Sequence, residues 1–444
     1  MKILIQAARI IDSQSPLNGR VRDILIENGL IRQMGEGLEA DDTTTVLTAP
    51  NLCVSPGWVD MRVSAKDPGY EHKEDLSTVC RAAARGGFTD IAVLPNTKPA
   101  LDSKDTLGYV RQATTGQPVS VHAIGAVTRK TEGTDFADMI DLHHAGAVAF
   151  SDGEHPLTNP DLLVKTLRYL RPFNGLLMNR PEETRLTVYG QMNEGVSSTL
   201  LGLRGMPALA EELMIERDLQ LLRFALDPQA SGQPNGLEPV ETFGQKPEDT
   251  PVLHFSTLST ARSVELVRQA KAAGLPVSCD VATHQLAFDD SALMGFDTNL
   301  KVNPPFRLPT DVAALREGLA DGTIDALVSD HNPQEEESKN LEFDQAEFGI
   351  IGLETAFSVA RSHTEMPLDG LIDKLTRQPR RILRLPSLTI AENQPATLTL
   401  FDPDREWTFA KSVSKAKNTP FLGQKLTGKA LWIVNRGAVE HVES

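Results

Sequence analysis

Eight short apolar segments recur along the middle of the chain, and the stretches between them carry apolar residues at helical spacing. No other feature limits the fold so strongly. The segments are residues 57–64, 90–96, 119–127, 145–152, 175–181, 251–257, 276–282 and 326–333. Residues 74–86, 160–170, 208–225, 261–273 and 311–319 show the spacing of helices with one buried face. Strands separated by helices are joined by crossovers and so lie parallel. Eight such units match a (β/α)8 barrel, although a doubly wound sheet shows the same alternation, so periodicity leaves both open.

The two ends of the chain differ from this middle. Residues 2–11 and 23–34 hold β-branched runs broken at Asn28-Gly29, a hairpin signal. Near the other end, 396–401 and 430–434 are apolar strands, with a turn at Arg436-Gly437. A small β-sandwich built from both termini is expected, from 1–52 together with 388–444, around a barrel over 53–387. The Pro- and Gly-rich stretch 227–249 reads as an irregular excursion.

Composition excludes several classes. Of 444 residues, 44 are Lys or Arg and 60 are Asp or Glu, a net charge of −16. That charge lacks the basic footprint of a nucleic-acid binder. No apolar run is long enough to cross a bilayer, and the opening MKILIQAARIIDSQ has no small-residue cleavage site. The three cysteines, Cys53, Cys80 and Cys279, are too few and too scattered for a disulfide framework or a thiolate zinc site. A soluble cytoplasmic protein is expected.

In a barrel, chemistry gathers at the C-terminal ends of the strands. The polar residues there are Asp60, Arg62, Ser64, Asn96, Asp152, Asn179, Arg180, His254, Asp330 and His331. Taken singly, each has an ordinary explanation. His254 suits a hydrogen-bonded core histidine, and Asp152-Gly153 and Asp330-His331-Asn332-Pro333 suit turns. Their shared position at one end of successive strands is what marks them as a site.

The motifs Pro56-Gly57-Trp58-Val59-Asp60, Leu94-Pro95-Asn96-Thr97, Ala149-Phe150-Ser151-Asp152, Val302-Asn303-Pro304-Pro305-Phe306-Arg307, Ser329-Asp330-His331-Asn332-Pro333 and Lys417-Asn418-Thr419-Pro420-Phe421 resemble those of dihydroorotases in the amidohydrolase superfamily. The resemblance covers nearly the whole chain. It implies a metal-dependent barrel with a composite β-sandwich, interconverting carbamoyl-aspartate and dihydroorotate in pyrimidine biosynthesis. It also implies roles residue by residue: Asp330 as the general base, Asp152 and His254 as metal ligands, and Asn96 and Asn303 as substrate contacts.

Several positions depart from that pattern. The His-x-His pair of the first strand is Arg62 and Ser64, the fifth-strand histidine is Arg180, and the substrate-binding arginine is Lys66. The histidine expected four residues after the aspartate is Gln334. A catalytic zinc needs about three protein ligands, and a guanidinium can neither deprotonate nor ligate a cation. Of the ten histidines, only His122 and His284 lie on strands from which they could substitute. The expectation is therefore no bound metal and no turnover, with Arg62 and Arg180 beside Asp152 and Asp330. The alternatives are an active enzyme with a rearranged zinc site or no metal, and a binding protein that keeps the pocket for a carboxylated ligand, with Lys66, Arg62 and Arg180 as anion contacts.

The resemblance further implies a partner, because degenerate relatives assemble with aspartate transcarbamoylase. An oligomer is expected, without nucleic acid or membrane. Residues 334–345, with the Glu335-Glu336-Glu337 run, read as a solvated loop that could form the acidic rim of such a contact.

Overall fold

The computed structural model describes residues 2–227 and 250–442, so nearly all of the expected 227–249 excursion lies outside the described residues. The eight barrel strands, in chain order, are Trp58–Val63, Phe88–Val93, Ser120–Gly125, Ala149–Phe150, Leu177–Asn179, Leu253–Phe255, Val277–Ala282 and Ala326–Val328. They form one parallel sheet in sequential order, and a parallel bridge between Val63 and His331 joins the last strand to the first. That closure decides between the two architectures left open by periodicity: the chain is a (β/α)8 barrel.

The strands read as continuous apolar runs because both of their faces are covered. Trp58–Val63, Phe88–Val93 and Val277–Ala282 are buried at every position. Val59, Met61, Ala92, Ile124, Ala149, Met178 and Val328 meet in one cluster that fills the barrel. Two of the helices start where the sequence supplies a clear cap. Asp75 accepts from the Thr78 amide ahead of Leu76–Arg85, and Asn159 precedes Pro160–Leu170, where proline occupies the first turn at no cost in hydrogen bonds.

The terminal segments build a second sheet of eight strands, mixed in direction, around a core that includes Ile3, Ile5, Ile24, Ile26, Val54, Leu398, Leu400 and Val434. This is the β-sandwich expected from both ends of the chain. It reaches past residue 52, because Cys53–Pro56 pairs both with Arg9–Ile10 and with Leu398–Phe401. Its two tight turns, Asn28-Gly29 and Arg436-Gly437, have positive φ at both central residues, as a two-residue hairpin of matching twist requires. Among the described residues no helix is long and apolar enough to cross a membrane.

Candidate functional site at the barrel mouth

Closure of the barrel sets residues 62–66 against 330–331. The Ser64 amide donates to the His331 carbonyl at 2.8 Å, just beyond the last ladder contact of the first strand. Asp60 reinforces this seam, accepting from the Arg62 and Ser329 amides at 3.0 and 2.9 Å. Burial pushes the Asp60 carboxyl up to about 6, against the hydrogen bonds that favour its charged form.

Arg62 then reaches Asp330. Its Nε donates to Asp330 Oδ1 at 2.7 Å, with the two side chains only 3% and 14% exposed. Asp330 takes a left-handed backbone at φ 48°, a conformation that a short polar side chain tolerates. Burial pushes its carboxyl up, while the charges of Arg62 and Arg180 hold it down.

A second carboxylate lies beside this pair. Ser64 Oγ donates to Glu154 Oε1 at 2.9 Å, and Lys66 Nζ lies 3.5 Å from the same oxygen. Burial alone would raise Glu154, yet Lys66, Ser64, Arg62 and Arg180 together hold its carboxyl at about 2. Arg180 donates from Nη1 to the Glu154 carbonyl at 3.0 Å and pairs through Nη2 with Glu182. Asn303 Nδ2 donates to the same Glu182 oxygen at 3.2 Å, and Thr187 Oγ1 donates to the other at 2.6 Å.

Arg180 was expected to pair with Asp152 or Asp330; instead Glu182 takes its ion pair, while Asp330 feels its charge without a hydrogen bond. Asp152 needs no guanidinium. Its Oδ1 accepts from the Val127 and Thr128 amides at 3.0 and 2.9 Å, and its Oδ2 from Thr128 Oγ1 at 2.5 Å. Burial, opposed by these donors, still pushes its carboxyl up.

Asn96 holds the loop that follows Asp152. Its Nδ2 donates to the Asp152 carbonyl at 3.0 Å and its Oδ1 accepts from the Glu154 amide at 2.8 Å. Gly153, between those two contacts, has φ 65°, and a Cβ there would fall 1.8 Å from Asn96 Oδ1. Only glycine allows this approach.

His254 is fully buried, with both ring nitrogens engaged: Nδ1 with Ser278 Oγ and Nε2 with Asp280 Oδ2, each at 2.8 Å. Asp280 also accepts from the Thr257 amide at 2.6 Å. His122 joins Asp90 and Arg380 in a separate cluster. His284, expected on a strand, lies instead in the short helical turn Thr283–Leu286 and packs edge-on against Phe306, where burial lowers its imidazole to about 3. Gln334 faces Lys73 and the Phe348 carbonyl, at 2.7 Å each.

The 334–345 segment was read as a solvated loop, and it is instead packed in place. Glu336–Lys339 is a helical turn, Phe343 is buried, and Lys339 Nζ donates to the Glu347 and Gly349 carbonyls. Glu335 lies 3.3 Å from Lys73, which leaves Glu336 and Glu337 as the exposed part of the acidic run.

The zinc centre implied by the resemblance can be tested against these side chains. Among the described residues no group of three His, Cys, Asp or Glu converges as a metal site would. Asp330 is committed to a guanidinium, Asp152 to amides, and the His254 nitrogens to Ser278 and Asp280. A divalent cation placed here would face Arg62 and Arg180 at short range. As folded, the mouth does not fit a zinc ion.

Sequence reasoning missed Glu154, Glu182 and Asp280, the acids that complete the mouth. Asp280 carried a signal, being a lone charge within the apolar run Val277–Ala282. Glu154 and Glu182 carried little beyond lying just past the fourth and fifth strands.

A sequential parallel barrel with a composite terminal sandwich and polar residues crowding its C-terminal mouth defines an amidohydrolase-type protein. Solved structures agree on the fold. L-hydantoinase from Arthrobacter aurescens superposes with a TM-score of 0.80 at 21% identity, covering 98% of this chain and 95% of that one. Dihydropyrimidinase from Brevibacillus agri superposes at 0.79 and 18% identity, over 99% and 95%. The family model described as "Dihydro-orotase-like" matches residues 52–226. A dihydroorotase of Geotalea daltonii is 38% identical over 447 aligned residues, covering 99% of each chain. Another, from Pelotomaculum thermopropionicum, is 39% identical over 96% of each. The chain belongs to the dihydroorotase family.

Proposed function

We propose that this protein is a dihydroorotase-family member of pyrimidine biosynthesis that does not itself turn over dihydroorotate. Its role is structural or regulatory, towards aspartate transcarbamoylase. The observation that carries the first half is the 2.7 Å ion pair between Arg62 and Asp330. A general base must be free to take a proton from its acceptor, and this carboxylate is held by a permanent cation. Resemblance to degenerate family members that partner the transcarbamoylase supports the second half, together with the exposed Glu336 and Glu337 beside the mouth.

The test has two parts. Interconversion of carbamoyl-aspartate and dihydroorotate is measured with and without added zinc, alongside metal analysis; no turnover above a metal-stripped control and well under one zinc per chain are expected. The chain is then mixed with the transcarbamoylase at micromolar concentration. A defined hetero-oligomer is expected, weakened by the double variant Glu336→Lys, Glu337→Lys. Separate elution with unchanged transcarbamoylase activity would refute the partnership.

A second reading is an active dihydroorotase with a rearranged zinc site. It is favoured by full-length relatives at 38% identity that carry the name dihydroorotase. Turnover with stoichiometric zinc would establish it.

A further inference from the structure

The mouth holds three long cationic side chains, Arg62, Lys66 and Arg180, and each faces one carboxylate: Asp330, Glu154 and Glu182 respectively. The three carboxylates are not equivalent. Asp330 sits at the end of the last barrel strand, and Glu182 is also held by Thr187 and Asn303. Glu154 instead enters from a loop whose backbone is gripped at both ends of the residue. Asn96 holds its amide, and Arg180 holds its carbonyl at 3.0 Å.

Among the described residues the carboxylate itself has only Ser64 and Lys66 as direct partners, and its side chain is 31% exposed. A hydroxyl and an ammonium converging on one carboxylate oxygen, with two guanidiniums behind them, is the donor set that recognises a free carboxylate. Here that place is filled from within the chain. We propose that Arg62, Ser64, Lys66 and Arg180 form a binding site for a small carboxylate, and that Glu154 is its built-in ligand, excluding free carboxylates from the mouth.

Two physical consequences follow. A tethered carboxylate acts at the high effective concentration of an intramolecular partner, so a free acid of the same chemistry does not displace it at ordinary concentrations. Removal of the tether leaves Lys66, a cation with a side chain only 10% exposed, without its counter-charge. The site then gains by drawing an anion from solution.

Acetate replaces the atoms that Glu154→Ala deletes, so acetate is the probe. Thermal midpoints of the full chain are measured against acetate, with chloride exchanged to hold ionic strength constant. For E154A the midpoint should rise saturably by several degrees, with half-effect in the millimolar range, while the unmodified protein shows no saturable shift. Adding Lys66→Met to E154A should abolish the response. If E154A does not fold, Glu154→Ser opens the same space and is titrated identically. Equal responses in variant and unmodified protein, or a response indifferent to K66M, would overturn the proposal. The readout is binding, so it stands or falls separately from turnover.

Discussion

Removing the Arg62 guanidinium should destabilise the barrel far more than its single hydrogen bond suggests. The pair is short, at 2.7 Å, and both side chains are largely buried, so Arg62→Met leaves an unpaired carboxylate under the barrel mouth. Breaking one side of such a pair typically costs about 3–5 kcal/mol, because the remaining charge keeps its desolvation penalty. Some of this is recovered when Asp330 takes up a proton, since burial already pushes its carboxyl up. A net loss of about 3 kcal/mol is expected. With an unfolding entropy of roughly 2.1 cal/mol/K per residue, that lowers the midpoint by about 3 °C.

The assay is a double-mutant cycle of R62M, Asp330→Asn and their combination, followed by urea and thermal unfolding. The chain contains its own control. Lys165 and Asp161 approach at 2.6 Å, closer than the mouth pair, but their side chains are 60% and 69% exposed. Distance alone would rank that pair first, whereas solvent screening should leave it about 0.3–0.5 kcal/mol. The mouth pair should show a coupling of about 2–4 kcal/mol. Couplings equal to within about 0.5 kcal/mol would refute the argument that burial makes this pair strong.

Three further outcomes are expected. Asp90 is held at about 2 because His122, Arg380 and Thr89 outweigh its burial. Its folded value lies below the ordinary 3.8, so it contributes stability above about pH 4 that is lost as pH falls towards 2. Asp90→Asn should flatten the acid limb of the midpoint-versus-pH curve there, by about 2 kcal/mol. Gly153→Ala should cost about 2 kcal/mol or more in urea unfolding, since φ is 65° and the new Cβ meets Asn96; combined with Asn96→Ala the loss should be less than additive. Restoring two histidines with Arg62→His and Ser64→His should give no measurable dihydroorotate turnover in added zinc, because Arg180 stays in the mouth and His254 stays bonded to Asp280.

The barrel was legible because its strands are buried on both faces and so read as apolar runs; every expected segment overlaps an observed strand, and 90–96 misses only the start of Phe88–Val93. The least accurate, 145–152, shortens to Ala149–Phe150 because Ala145 caps the preceding helix Met139–His144 and Gly146, at φ 101°, turns the chain into the strand, while the residues after it turn away to place Asp152 against the Thr128 loop. The helices at 74–86 and 160–170 were legible through their apolar spacing, and Asp75 and Asn159 cap them in the structure. Side-chain pairing at the mouth was not. Arg180 and Asp152 are opposite charges at adjacent strand ends, and sequence offers nothing to say that backbone amides already fill one Asp152 oxygen. Glu182, two residues from Arg180, then wins the guanidinium. Lys339 likewise looked like one more charge in a solvated run until the chain folded two carbonyls around it.

A metal ion arriving at this mouth would compete with several pairings at once and not with one residue. Each acid there has its own donors: Arg62 for Asp330, Ser64 and Lys66 for Glu154, Arg180 with Asn303 and Thr187 for Glu182, two amides and a hydroxyl for Asp152, His254 and an amide for Asp280. A divalent cation would need several of these oxygens at once. Each one released leaves a buried donor unsatisfied, at about 1–3 kcal/mol apiece, and the guanidiniums freed in the process would repel the arriving ion. A single reversion to histidine changes one donor and leaves the other pairings intact. The fixed cations Arg62, Lys66 and Arg180 counter the charge of Asp330, Glu154 and Glu182, whereas Asp152 and Asp280 rest on hydrogen-bond donors alone.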